Sequence, residues 1–291
     1  MFEPFQYEFF VKGAIAATLV GGLCGFVGVY VVLRGMSYIG HGLAHAIFGG
    51  AVVSYVMSIN FFVGASLWGF VSAVLINMTT RRRRIGADAA IGIVTTASFA
   101  LGIALISRYK TFTRSFDAAL FGNILGVTYG DLLAIVAVVA ATAMIVTLAY
   151  KQFLFAAFDP EVAQYYGVPT GWVDSMLALV LAASIVVSMQ VLGVTMIAAA
   201  IVIPPIIARL LTNSFGSMML LSAGVGSLCG LGGIYLSFYV DVSSGATVVL
   251  FSAALFVAAM GYSTLRARLA SARGRMAGRA TLSDVDGGAF H

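Results

Sequence analysis

Charge is what this sequence has least of. Asp, Glu, Lys and Arg make up 9% of its 291 residues, against 61% hydrophobic. A soluble domain carries about 25% charged residues. A water-facing shell cannot be built from this composition, so lipid must solvate much of the surface. Cysteine is scarce too: Cys24 and Cys229 both stand in apolar runs. That excludes a disulfide framework. A single bridge stays open, but two small buried hydrophobic residues fit the surroundings better. No Gly-x-x-x-x-Gly-Lys stretch occurs, so the chain has no phosphate loop of that type. No His-Glu-x-x-His helix and no Ser/His or paired-Asp arrangement speaks for an intramembrane enzyme. The first eight residues hold two acids and no base. The first apolar run is therefore expected to remain as a span rather than be removed as a signal peptide.

What is abundant is apolar length. Windows of ~20 apolar residues mark membrane helices. They fall at 11–33, 37–58, 61–79, 87–107, 131–150, 173–192, 195–211, 217–239 and 245–265. The predicted fold class is all-α, a polytopic integral membrane bundle of eight to nine transmembrane helices over residues 1–265. Residues 266–291 read as a basic tail, disordered beyond Arg279. The 33 glycines suit close helix–helix approach in lipid.

Lys and Arg give the orientation. With the N-terminus outside and the C-terminus cytoplasmic, 12 of the 16 bases fall inside: Arg34, Arg81 to Arg84, Lys151, Arg209 and the tail. Lys12, Arg108, Lys110 and Arg114 stay outside. The +5 net charge then reflects topology, and nucleic acid is not an expected partner. The arginine run reads as a topology anchor.

Two connections are longer than a turn. Residues 108–130, outside, place Phe112, Phe116, Leu120, Phe121, Ile124 and Leu125 at helix-like spacing, which predicts an amphipathic or re-entrant piece. Residues 151–171, inside, predict one short helix. Asp159 is its N-cap, Pro160 its first residue and Glu161 its first-turn acid. Gly167 ends it. A plain connector needs only a few residues. Tyr165 and Tyr166 beside charges suit a protein contact, with an interfacial helix resting on lipid as the other reading.

Two of the three histidines, His41 and His45, are four residues apart inside the second apolar run. Residues i and i+4 share a helix face. At 1.5 Å per residue they lie about 10 and 16 Å deeper than Arg34, near the midplane of a ~30 Å hydrocarbon core. An ionisable residue there is a functional candidate, and neutral imidazole is a common transition-metal ligand. Two ligands are incomplete for zinc; a two-fold dimer would supply four. A buried structural pair and a proton relay are the alternatives. Gly40, Gly42, Ala44, Gly49 and Gly50 would let a second helix or subunit come close. Asp88 and Asp241, at the starts or mouths of spans, are secondary candidates for a path or gate. Pro204-Pro205 should break its helix and is a candidate hinge.

Leu33-Arg34-Gly35-Met36-Ser37-Tyr38-Ile39-Gly40-His41-Gly42-Leu43-Ala44-His45-Ala46 resembles the second span of the ABC-3 permeases, bacterial importers of zinc, manganese and iron. Four further stretches resemble that family in order: 86–93, 116–126, 158–161 with Gly167, and 239–247. The resemblance implies a bacterial plasma (inner) membrane permease that works as a dimer, most simply a homodimer, surrounded by membrane lipid. Cytoplasmic ATP-binding subunits would grip the helix at Asp159, Pro160, Glu161, Tyr165, Tyr166 and Gly167. An extracytoplasmic metal-binding protein would deliver the ion. The chain itself would bind no cofactor and hydrolyse no ATP; a divalent metal would be its substrate. Many members carry Asp where His41 stands. Four imidazoles are softer than two Asp and two His, which points to zinc. Manganese or iron is the alternative within the family, and a secondary transporter or channel without an ATPase is the alternative outside it.

Overall fold

The computed structural model describes residues 3–57, 59–81, 87–109 and 120–287. Among them are eleven α-helices and no strand. In order these are α1 (Glu8–Leu33), α2 (Ser37–Val56), α3 (Phe61–Arg81), α4 (Ala87–Tyr109), α5 (Tyr129–Leu148), α6 (Tyr150–Phe158), α7 (Pro160–Tyr165), α8 (Thr170–Leu192), α9 (Val194–Leu211), α10 (Phe215–Val240) and α11 (Ser244–Gly287). Nine of them are long and apolar enough to cross a membrane. Each agrees with an expected span to within a few residues, because uninterrupted apolar length is the strongest signal in such a sequence. Arg82 to Arg84 and residues 110–119 of the 108–130 connection, with Phe112 and Phe116, lie outside the described residues.

The helices sort by burial. α1, α2 and α8 are mostly covered, whereas α3, α4, α5 and α11 are largely open. α1 and α10 meet along rows of small residues spaced four apart, Ala17-Gly21-Gly25 against Ser222-Gly226-Gly230. A methyl at Gly21 would run into the Gly226 carbonyl, and the reverse also holds. Close approach lets side chains bond across: Ser222 Oγ donates to the Gly25 carbonyl at 2.6 Å and Ser227 Oγ to that of Thr18 at 3.0 Å. Lipid cannot drive such contacts by excluding water, so packing and hydrogen bonds hold them.

Three expectations change. α9 runs unbroken through Pro204 and Pro205, both buried. Pro205 has no N–H for the Ile201 carbonyl, four residues back. That carbonyl points at Gly28 of α1, where the missing side chain leaves room for it. The neighbouring helix thus leaves space for the freed group, and α9 stays unbroken. The 151–171 connection holds two helices rather than one. Phe153, Ala156 and Ala157 of α6 are buried, with Phe153 5.5 Å from Tyr30 between ring centroids. That apolar face anchors a helix which a search for loop signals overlooks. Finally, α11 continues to Gly287, where a disordered tail was expected beyond 279. Residues 266–279 are rich in Ala and Arg, which extend a helix already under way.

Candidate functional site

The histidine helix is positioned by its entry. α1 ends at Arg34, and Gly35 takes a left-handed φ of 65°. The Met36 amide bonds the Val31 carbonyl at 3.0 Å, and the Gly35 amide that of Val32 at 3.1 Å. This is the Schellman arrangement, which satisfies the last carbonyls of α1. It leaves three residues between helices, so α2 folds straight back along the bundle. Ile39, Gly40, Gly42, Leu43, Ala44, Ala46 and Ile47 are buried. Tyr38 is half-exposed, and His41 and His45 are partly exposed on the same stripe.

The two imidazoles face one another, with ring centroids 4.6 Å apart and planes at 77°. Tyr38 lies 5.8 Å from His41, and Phe99 of α4 lies 5.1 Å from His45 edge to face. Nδ1 of His45 is buried and has no hydrogen-bond partner. An orphaned buried ring nitrogen is uncommon in a protein interior, and its lone pair is what a metal ion takes. Among the described residues no third His, Cys, Asp or Glu joins the pair. The two imidazoles stand together, partly exposed, on one stripe of α2.

The small residues of α2 serve the first of the two uses expected of them, the close approach of another helix. They receive helices of the same chain, not a second copy. A methyl at Gly40 would press on Ile201, one at Gly42 on Ile91 and Thr95, one at Gly49 on the Ser98 carbonyl and one at Gly50 on Trp68. The face that carries the histidines is the one that remains open.

The second constellation lies at the end of the bundle that also holds Arg34. Asp159 caps α7, its Oδ1 accepting the Val162 amide at 2.9 Å, with Pro160 in the first turn. Gly167 has a φ of 81°; its amide bonds Gln164, and Val168 bonds Ala163. α7 buries only Ala163. Glu161 is exposed, and Tyr165 and Tyr166 are exposed by 87% and 72%, with Phe158 beside them at 65%. Large aromatic groups left open next to charges are unusual for a surface without a partner.

The remaining candidates are dispersed. Asp241 takes a left-handed φ of 55° and ends α10 at the opposite end from α7. Asp88 sits in the first turn of α4, and its side chain lies outside the described residues. Asp131 closes a capping box with Thr128, in keeping with an ordinary helix-start acid. Two features carried no clear sequence signal. Arg34 forms an ion pair with Asp174 across 140 positions. Gly122 and Gly193, both at positive φ, bring residues 120–123 against the α8–α9 turn, with the Asn123 amide on the Gln190 carbonyl at 2.9 Å. The paired opposite charges at helix ends were the only hint of the first.

Comparison with known proteins agrees with this architecture. The profile of the ABC-3 family, described as the ABC 3 transport family, matches residues 6–263. The chain is 36% identical over 258 residues to the manganese transport system membrane protein MntC of Halalkalibacterium halodurans, covering 89% of this chain and 88% of that one. It is 33% identical to a probable iron transport system membrane protein of Haemophilus influenzae, covering 92% and 98%. Among solved structures, PsaBC from Streptococcus pneumoniae in complex with Fab superposes with a TM-score of 0.79 at 33% identity, covering 87% of this chain and 91% of that one. The chain belongs to the ABC 3 transport family.

Proposed function

We propose that this chain is the membrane permease of an ATP-driven importer of divalent first-row metal ions, with manganese as the cargo. The observation that carries the reading is the pair of adjoining imidazoles on the partly exposed stripe of an otherwise buried helix, one of them with a buried ring nitrogen that has no partner. A two-fold partner bringing its own His41 and His45 would complete four ligands around an axis. Relatives named for manganese or iron support those metals over the zinc expectation. Imidazole binds zinc more tightly than manganese. A manganese importer with four histidines would therefore leave metal choice to the protein that delivers the ion. Neutral ligands would hold the ion loosely enough to release it.

In this reading the α7 end faces the bacterial cytoplasm, and the N-terminus of the chain is outside. The exposed α7 surface, with Asp159, Glu161, Tyr165 and Tyr166, receives ATP-binding subunits, which carry out hydrolysis. An extracytoplasmic binding protein docks at the opposite end, near Asp241.

The test is manganese uptake into proteoliposomes holding the permease, its ATP-binding subunits and the binding protein. His41→Ala/His45→Ala should abolish ATP-dependent uptake while the complex still assembles. Undiminished uptake in that variant would sink the site. Equal uptake without ATP would favour a channel or secondary transporter.

A further inference from the structure

We propose that the Arg34–Asp174 ion pair is the mechanical joint that carries motion of α7 to the histidine helix. The inference rests on the reading of α7 as the ATPase contact. Arg34 is the capping residue of α1, three positions before α2 begins and seven before His41. The tight turn at Gly35 makes that short segment stiff, so displacement of Arg34 displaces the start of α2. Asp174 stands in the second turn of α8, and α8 follows α7 after the closed turn at Gly167. The pair therefore links the start of α8, next to α7, with the segment that leads into the histidine helix.

The surroundings fit a moving joint better than a passive staple. Only 10% of the Arg34 side chain is exposed, and its Nε and Nη2 are buried without hydrogen-bond partners. Among the described residues, Asp174 is thus the side chain that holds the guanidinium. Beside the pair is a cavity of about 690 Å³. Met36 and Ile39 of the α2 entry line one side, and Ala157, Pro160 and Gln164 of the short helices line the other. α7 thus has room to move relative to α2, and the ion pair bridges the edge of that space. Arg34 is nearly covered while 31% of the Asp174 side chain stays exposed, so the arginine left without its carboxylate is the costlier of the two. The two ends are therefore bound to travel together.

The experiment compares manganese moved per ATP hydrolysed in the reconstituted complex. Arg34→Gln and Asp174→Asn should assemble and hydrolyse ATP, yet move at least tenfold less manganese per ATP. The exchange Arg34→Asp/Asp174→Arg should recover the ratio. Arg34→Cys/Asp174→Cys should be uncoupled when reduced, recover when bridged by a bifunctional thiol reagent, and lose the gain on reduction. A purely structural role would not give that reversible recovery. An unchanged ratio in the assembled single variants, or no recovery in the bridged one, overturns the joint. Failure of the wild-type complex to link ATP to manganese would instead overturn the proposed function.

Discussion

Arg34-Gly35-Met36 and Tyr166-Gly167-Val168 close helices with the same two backbone bonds and the same left-handed glycine. The first leads into a helix that is apolar and buried except for a polar stripe, His41 and His45. The second ends a short helix that is open to its surroundings and carries exposed aromatic rings. Each region departs from its surroundings in the opposite sense. A polar group held in an apolar interior has a cost that some task must offset. An aromatic group left in water gives up burial that a partner can restore. In the proposed reading one segment serves an ion and the other a partner protein.

The contrast breaks most sharply at His45. His45→Ala should lower manganese uptake by more than about 100-fold, since ligand loss exceeds the 10–100-fold typical of ligand-supporting residues. Binding of the ATP-binding subunits, measured by co-purification, should not change. A variant that lost the subunits and kept the ion would reverse the assignment of the two regions.

Tyr166→Ala should do the opposite. Loss of an exposed aromatic anchor at an interface costs about 1–2 kcal/mol, a ~5–30-fold weaker affinity for the ATP-binding subunits by titration. Metal bound to the detergent-solubilised permease, read by isothermal calorimetry, should stay as it was.

His41→Asp sharpens the histidine side. A carboxylate is harder than imidazole, so the ratio of manganese to zinc uptake should rise by about tenfold, or ~1.4 kcal/mol. A ratio that falls would show that His41 does not meet the ion.

The smallest effect concerns the two turns. A Cβ at Gly35 or Gly167 meets nothing within 4 Å, so alanine there costs only its left-handed backbone. That is about 1–2 kcal/mol, seen as a lower unfolding temperature in both. Both should also lower uptake per ATP, because Gly35 lies between the ion pair and α2 and Gly167 between α7 and the ion pair; an unchanged ratio in either would place its turn off the route.

Much of the fold could be read directly. In lipid, backbone groups must be satisfied within the helix, so apolar length translates almost without loss into a span. The caps at Asp159 and Gly167 were legible for a similar reason, since both act over three or four residues. The histidine pair was legible because helical spacing alone puts i and i+4 on one face. Partners across the chain were not. Nothing near Arg34 names Asp174, and nothing near Gly28 says that it faces the carbonyl freed by Pro205. The small residues of α2 were visible, but which helices they admit depended on the packing of α3, α4 and α9.

By itself, then, the sequence determined the nine spans, the capped α7 and the paired imidazoles, all of them products of local spacing and hydrophobicity. Tertiary structure alone decided which face of α2 stays open, that His45 holds an orphaned nitrogen there, and which charge Arg34 meets. The physical reason is reach. Periodicity and capping are settled within one or two helical turns, whereas an open face or an ion pair exists only once helices distant in the chain have packed.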